Sequence, residues 1–221
     1  MVIGAGGGLG HALATVLETA GHTVLRLGRH TVPALELLDE ASIAAAASWA
    51  AEAGDVRLVL DATGFLHDER YRPERSWREL DPAHIAHSFA VNAIGPALLM
   101  KHFLPILPRE GRAVFATLSA RVGSIGDNRL GGWYSYRASK AALNQLVRTA
   151  AVELRRHNRA AICVALHPGT VATPLSAPFG KAGLNTRPPD VAATELAVVI
   201  DALRPEQTAG FFDHHGLPIE W

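Results

Sequence analysis

The chain has 221 residues, with 21 basic and 21 acidic side chains and a formal net charge of zero. This balance argues against a dedicated nucleic-acid binder and against a polybasic membrane-binding surface. With 48% hydrophobic and 19% charged residues, the composition is that of a globular protein, and the length predicts one domain over residues 1–221.

The single cysteine and the short apolar runs indicate the compartment. Cys163 cannot form an intrachain disulfide, and its apolar neighbours predict a small buried side chain. The longest apolar stretch, residues 43–51, is too short to span a bilayer, and the glycine-rich N-terminus lacks the positive region of a signal peptide. We therefore expect a cytoplasmic protein with no membrane or nucleic-acid partner.

Short apolar runs and longer helical patterns alternate along the chain. Asp39 is a good N-cap for one of the helices, and Gly21 a good left-handed residue at the end of another. Strands separated by helices of this length predict a parallel sheet with helices on both faces. In chain order, the pattern predicts a strand at 1–3, a helix at 9–20, a strand at 22–27, a helix at 39–53, a strand at 56–60, a helix at 82–107 broken near Gly95-Pro96, a strand at 113–118, a helix at 139–157, a strand at 161–166, a helix at 190–203 and a closing strand at 211–212.

A cluster of glycines follows the first predicted strand. Gly4, Gly8 and Gly10 fit the spacing G-x-x-x-G-x-G, whereas no choice of glycines fits G-x-G-x-x-G. Glycines at the junction of a strand and a helix let the backbone and the helix N-terminus approach a pyrophosphate. A flexible turn is the other interpretation of this cluster.

The residues after the second strand bear on the choice of cofactor. In doubly wound folds an acidic residue there accepts the ribose hydroxyls of NAD, and a cation accommodates the additional phosphate of NADP. Here the strand ends in Leu27-Gly28-Arg29-His30, without an acid, and a guanidinium pairs well with a phosphate. Unless Arg29 is simply an exposed side chain, the sequence predicts NADP(H) in preference to NAD(H).

Tyr136 and Lys140 lie four residues apart, which places both side chains on one face of a helix. A free tyrosine has a pKa of about 10, and a neighbouring ammonium lowers that pKa because it stabilises the phenolate. The pair therefore suits a general acid that acts on a carbonyl oxygen. The same spacing also arises by chance as a surface pair on a helix.

These motifs occur in order with others, namely residues 61–64 (Asp-Ala-Thr-Gly) after a buried strand, Asn92, Ser119 and residues 168–173 (Pro-Gly-Thr-Val-Ala-Thr). In this combination, essentially the whole chain resembles the short-chain dehydrogenase/reductase family. Its central Gly-Gly-Trp-Tyr-Ser-Tyr region and its ending are similar to the C-factor and Sniffer-like carbonyl reductase branch. The resemblance implies a single-domain α/β Rossmann fold, with a doubly wound parallel sheet of about seven strands.

The resemblance also implies roles for the motif residues. Asn92 would sit in a bent helix and position a relay water, and Lys140 would hold the nicotinamide ribose and tune Tyr136. Asp61 and Thr63 depart from the Asn-Asn-Ala-Gly that the family usually carries there, on the adenine-ribose side. The implied catalytic residues are Asn92, Ser119, Tyr136 and Lys140. The implied cofactor-binding residues are Gly4, Gly8, Leu9, Gly10, Arg29, Asp61, Thr63, Gly64, Pro168, Gly169, Val171 and Thr173.

The catalytic hydroxyl has two candidates. Related sequences often have two serines at the end of the strand before the tyrosine, and the second is taken as catalytic. Here the pair is Ser119-Ala120, so the usual position is an alanine, and Ser119 and Ser124 remain. Ser119 is preferred, because a strand end holds geometry better than a loop.

Some histidines are candidate metal ligands, and some aromatic residues are candidate substrate contacts. His84 and His87 lie three apart on a helix, and residues 213–215 read Asp-His-His. Neither group has other ligands at zinc-like spacing, so no metal site is expected. Trp133, Tyr134 and Phe179 flank the proposed site and either stack on a substrate or simply pack.

The segment 174–189, which covers the substrate in the family, is short in this chain. Its length predicts an open site with loose substrate selection.

Two functions are compatible with these observations. The first is an NADP(H)-dependent oxidoreductase that interconverts a carbonyl and an alcohol of a small molecule, with Tyr136 as general acid/base. The second is a nucleotide-binding regulatory or signalling protein of C-factor type with little turnover. The presence of Tyr136, Lys140 and Asn92 favours the enzyme, and the resemblance leaves a homo-oligomer open.

Overall fold

The computed structural model describes residues 1–179 and 186–221. A parallel sheet forms the centre of the fold, in the order β2-β1-β3-β4-β5-β6. Its strands are β1 (Val2–Ile3), β2 (Arg26–Leu27), β3 (Leu58–Asp61), β4 (Ala113–Leu118), β5 (Ala161–His167) and β6 (Phe211–Asp213). The predicted α/β domain with a doubly wound parallel sheet is confirmed.

Six α-helices of the described residues surround the sheet. They are α1 (Gly8–Thr19), α2 (Glu40–Glu52), α3 (Pro82–Phe89), α4 (Gly95–Phe103), α5 (Tyr134–His157) and α6 (Pro189–Ala202). The Asp39 side chain accepts a hydrogen bond from Ala41 N at 3.0 Å and so caps α2, as predicted. Gly21 has φ +87° just after α1, the conformation expected of a helix terminator.

The two faces of the sheet carry separate apolar clusters. On one face Phe115 of β4 packs with buried residues of α2, α4 and α5, such as Leu143. On the other face Val114, the preceding residue of the same strand, packs with residues of α1 and α6, such as Leu13 and Leu196. Consecutive residues of β4 are therefore both buried, which is why this strand is apolar without alternation. Cys163 lies fully buried in the first cluster, as its apolar neighbours predicted.

The strand count differs from the expectation of about seven, since the described residues form six strands. The segment between β2 and α2, residues 28–39, is too short for a crossover helix followed by another strand. A single parallel bridge joins Gly28 to Ala34 at that edge. The side of the sheet next to β2 therefore ends in a short turn, in which Thr31 Oγ1 donates to the carbonyls of Gly28 and Pro33.

The predicted helix over residues 82–107 is interrupted close to the expected position. A five-residue π-helix, Ala90–Ile94, separates α3 from α4 directly before Gly95-Pro96. By length and composition alone, Pro82–Phe103 could cross a membrane. Leu99 and Phe103 are nevertheless buried in the core, which is how the core helix of a globular domain packs.

Candidate active site

The predicted site residues gather at one edge of the sheet, where β1, β3, β4 and β5 end at their carboxyl termini. In open α/β sheets this edge is where ligands bind. The strand register places Ile3 beside Asp61 and Asp61 beside Thr117. The glycine cluster, residues 61–64 and Ser119 therefore lie close together, although they are distant in the chain.

The glycine cluster forms a tight turn from β1 into α1. Gly4 has φ +81°, and a side chain there would meet the backbone of Ala62 at 3.0 Å. A Cβ on Gly10 would overlap the carbonyl oxygen of Gly4, and one on Gly8 would lie 2.9 Å from Thr173 Cγ2. The spacing G-x-x-x-G-x-G thus corresponds to three close approaches. Gly7, the N-cap of α1, offers no side-chain cap, so the backbone N–H groups of the first turn remain available to a phosphate.

Asp61 occupies a different place from the one expected. Its carboxylate is 1% exposed, so it is not positioned to accept ribose hydroxyls. Oδ1 accepts from Thr63 N at 2.9 Å and from Thr63 Oγ1 at 2.6 Å, and Oδ2 accepts from Thr117 Oγ1 at 2.6 Å. The carboxylate therefore holds the turn at Thr63 and, through the Thr117 hydroxyl, ties the ends of β3 and β4 together.

Lys140 is buried beside this carboxylate. Its Nζ donates to the Leu118 carbonyl at the end of β4 at 2.9 Å. Burial lowers the pKa of Lys140 to about 8, and the negative charge of Asp61 opposes that effect. A Cβ on Gly64 would lie 3.6 Å from Nζ, so the absence of a side chain at Gly64 leaves room at the ammonium.

The pKa of Tyr136 moves in the direction opposite to the one expected. The spacing to Lys140 predicted a lowered pKa, but burial of the phenol raises the pKa of Tyr136 to about 12. Desolvation disfavours the phenolate and is the cause of this rise. Tyr136 is thus held in its protonated form at neutral pH.

Asn92 lies in the π-helix, as the predicted bend required. Its Oδ1 accepts from Phe65 N at 2.7 Å, and its Nδ2 donates to Phe65 O at 2.8 Å and to Ser139 Oγ at 3.1 Å. The side-chain amide is therefore engaged with protein groups and fixes the turn that follows residues 61–64. A π-helix at such a point is frequent in functional sites.

The two serine candidates have different surroundings. The Ser119 hydroxyl, 4% exposed, donates to Asn144 Oδ1 of α5 at 2.6 Å, so it is directed into a buried contact. The Ser124 Oγ accepts from Asp127 N at 3.1 Å, and no described residue accepts its proton. Ser119 lies at the end of β4, as predicted. Its hydroxyl is bonded to Asn144, however, so it is not free to bind a substrate oxygen.

Two of the three aromatic residues expected to flank the site, Trp133 and Phe179, lie near Tyr136. The ring centroid of Trp133 lies 6.2 Å from that of Tyr136 and 5.2 Å from that of Phe179, both in edge-to-face geometry. His67, which carried no sequence signal, lies 5.2 Å from Phe179. These rings form one wall of the site. Residues 180–185 of the segment 174–189 lie outside the described residues, so the expected openness of the site stays a prediction.

The segment after β5 is held by a residue that the sequence analysis missed. Arg187 donates to the Pro168 carbonyl at 2.7 Å and forms an ion pair with Glu195. A side chain on Gly169 would overlap the Arg187 guanidinium. Val171 is paired with Arg187 by a parallel bridge, so a single arginine organises this turn.

Arg29 is exposed at the opposite end of the site. It follows Gly28, on which a Cβ would lie 3.8 Å from Gly6 N and 3.9 Å from Ala5 N of the glycine turn. The backbone that carries Arg29 therefore adjoins the glycine turn, where a phosphate would bind.

The histidine groups are placed as follows. His84 Nδ1 lies 3.2 Å from a carboxylate oxygen of Glu74, and His214 packs against His215 with ring centroids 4.0 Å apart. Within residues 1–179 and 186–221, no group of three or more histidine, cysteine or acidic residues could hold a metal ion.

Comparisons with known proteins agree with this geometry. Residues 13–188 match the family model described as enoyl-(acyl carrier protein) reductase. The chain is 36% identical to the C-signal of Myxococcus xanthus, over 65% of this chain and 82% of that protein. It is 32% identical to 1-hydroxy-2-glutathionyl-2-methyl-3-butene dehydrogenase of Rhodococcus sp. (strain AD45), over 100% of this chain and 98% of that protein.

Solved structures with the same fold include two carbonyl reductases. The carbonyl reductase Sniffer of D. melanogaster matches with a TM-score of 0.83 at 21% identity, over 99% of this chain and 97% of that chain. The NADPH-bound carbonyl reductase from chicken fatty liver matches with a TM-score of 0.84 at 26% identity, over 100% and 97%.

Proposed function

Given that this chain belongs to the short-chain dehydrogenase/reductase family, in the branch with the C-signal and the Sniffer carbonyl reductase, we propose that it interconverts a carbonyl and an alcohol with NADP(H). The chain is an oxidoreductase of this family, and its substrate in our proposal is a small-molecule carbonyl or alcohol. The observation that carries the proposal is the half-buried Tyr136 on α5, one helical turn before the buried Lys140, whose ammonium donates to the carbonyl at the end of β4.

The residues at this edge fit a dinucleotide. Side chains at Gly4, Gly8 or Gly10 would meet other protein atoms, so glycines are what allow the tight turn that forms a cradle at the uncapped start of α1. A pyrophosphate is the group that such a cradle accepts. Arg29, exposed beside the turn and without an acidic neighbour in sequence, supports binding of the additional phosphate of NADP. When bound, the nicotinamide supplies or accepts the hydride.

Side chains of the protein then donate the proton to the substrate oxygen and stabilise the charge that remains. Because burial keeps Tyr136 protonated up to high pH, its hydroxyl is ready to donate a proton to a carbonyl oxygen. An ammonium close to the phenol stabilises the phenolate left after that transfer. We assign this role to Lys140, whose charge at neutral pH is supported by Asp61.

Asn92 and the serines complete the proposed machinery. Asn92 holds both backbone polar groups of Phe65 and thereby the turn that carries Gly64 over the ammonium. We retain Asn92 as the residue that supports proton resupply through a water. A hydroxyl that binds the substrate oxygen would come from Ser119 or Ser124, and the engagement of Ser119 with Asn144 favours Ser124.

NADPH oxidation with a panel of aldehydes and quinones tests the proposal. Wild-type protein should turn over at least one of these substrates, and Tyr136→Phe should bind NADPH normally without turnover. Cofactor binding without turnover in the wild type would contradict the enzyme. That result would support a second candidate, a nucleotide-binding signalling protein, which is favoured by the similarity to the C-signal and by Ala120 at the usual serine position.

A further inference from the structure

The helix that carries Tyr136 begins without a cap of its own. Its N-cap residue, Trp133, adopts the left-handed conformation with φ 53°, and its side chain makes no capping hydrogen bond. The first turn contains no acidic residue. Exposed backbone N–H groups at a helix start need partners, and here Tyr136 lies within that first turn.

The partners come from Glu74, in the segment between β3 and α3. Its backbone carbonyl accepts from Trp133 N at 2.5 Å. Its carboxylate accepts from Ser135 N at 3.2 Å and from the Ser135 hydroxyl. Glu74 thus binds the residue directly before Tyr136 and the residue three before it.

Glu74 is itself held in place from the side of α3. Its side chain is 2% exposed, and one oxygen lies 3.2 Å from His84 Nδ1. The His84 ring stacks on Tyr71, with centroids 4.9 Å apart and planes 5° from parallel. Because the Glu74 carboxylate is buried and has partners on both α3 and α5, its position is fixed, whereas the neighbouring charged side chains between β3 and α3 are exposed.

We propose that Glu74 is a positioning residue for the proton donor: it sets where α5 begins and thereby where the Tyr136 hydroxyl and the Trp133 ring stand relative to the substrate. Glu74 does not touch the reacting atoms, since its carboxylate is buried among Ser135 and His84. The inference rests on the proposed role of Tyr136. Loss of the cap would let the first turn of α5 unwind or shift, and a misplacement of about 1 Å can cost ~100-fold in rate.

The test compares four variants with the wild type. Glu74→Ala removes the carboxylate that binds Ser135 and keeps the backbone carbonyl that binds Trp133 N, Glu74→Gln keeps a side-chain acceptor oxygen, and Ser135→Ala removes only the hydroxyl. Glu79→Gln is the matched control, because this exposed carboxylate in the same segment accepts from Arg75 N at 2.8 Å and does not reach α5. The measurements are kcat and KM for one reduced carbonyl, the NADPH dissociation constant, and amide hydrogen exchange of the first turn of α5.

We expect kcat of Glu74→Ala to fall ~10- to 100-fold while the NADPH dissociation constant stays within about twofold. Glu74→Gln should restore much of the rate, and Glu79→Gln should match the wild type. The Ser135 amide, which loses its carboxylate acceptor, should exchange faster in Glu74→Ala and not in Glu79→Gln. If Glu74→Ala does not fold, Ser135→Ala carries the comparison, with a smaller loss in kcat.

Two results would overturn the inference. One is a folded Glu74→Ala protein with wild-type kcat and unchanged exchange at α5. The other is an equal loss in Glu74→Ala and Glu74→Gln with weakened NADPH binding, which indicates general damage. Failure of the proposed function is distinguishable, because it would show as no turnover in the wild type or as full turnover in Tyr136→Phe, whereas the exchange data still decide whether Glu74 caps the helix.

Discussion

Replacing Lys140 with methionine should change how the stability of the protein depends on pH. The lysine is 3% exposed, and burial lowers its pKa from 10.5 to about 8. At about 1.4 kcal/mol per pKa unit, burying the charged form costs about 3 kcal/mol. Between these two pKa values the unfolded chain binds more protons than the folded one, so the free energy of unfolding rises with pH.

This increase in the free energy of unfolding with pH is caused by Lys140 and should be absent in Lys140→Met. From about pH 7 to about pH 10, the wild type should gain about 2 to 3 kcal/mol relative to Lys140→Met. Burial also raises the pKa of Tyr136 and of Cys163 to about 12, which makes stability fall with pH above their ordinary values. Both groups are present in the two proteins, so their effect cancels in the difference.

Urea unfolding followed by circular dichroism at several pH values measures this difference. Lys101→Met is the control for the loss of a lysine from a helix, because that side chain is 62% exposed on α4. A difference between the wild type and Lys140→Met that is constant with pH would refute the reasoning. The Lys140→Met protein should also lose carbonyl reduction, since no ammonium remains to stabilise the phenolate.

Three further predictions test the site. Tyr136→Phe should abolish carbonyl reduction without weakening NADPH binding, while Tyr134→Phe should be milder; kcat values in the reverse order would contradict the assignment. Arg29→Asp should remove the preference for NADPH over NADH in binding titrations, and equal affinities in the wild type would show that no such preference exists. Ser124→Ala should lower kcat ~100-fold if its hydroxyl binds the substrate oxygen, whereas Ser119→Ala should mainly lower stability, by about 1 kcal/mol for a lost hydrogen bond. A large loss of kcat only in Ser119→Ala would restore the first preference, and near-normal rates in both would support the low-turnover alternative.

Local patterns in the sequence were sufficient for the architecture. Apolar runs such as residues 113–118 and 161–166 are read as buried strands because both of their faces are covered, and the structure places them at the centre of the sheet. Asp39 and Gly21 act within a few residues of themselves, so their capping roles are visible without a fold. The same holds for the glycine spacing and for the four-residue offset of Tyr136 and Lys140.

The tertiary structure decided which groups those motif residues face. Ser119 stands at the strand end as predicted, but a partner 25 residues later in the chain takes its hydroxyl. The helix of Tyr136 was predicted to start at residue 139 and starts at Tyr134, because its cap is supplied by Glu74, 61 residues away from Ser135. The pKa of Tyr136 rises instead of falling, because desolvation disfavours the phenolate. Propensity, capping and periodicity act over a few residues and can be read from the chain, whereas burial and long-range hydrogen bonds exist only once distant segments are packed together.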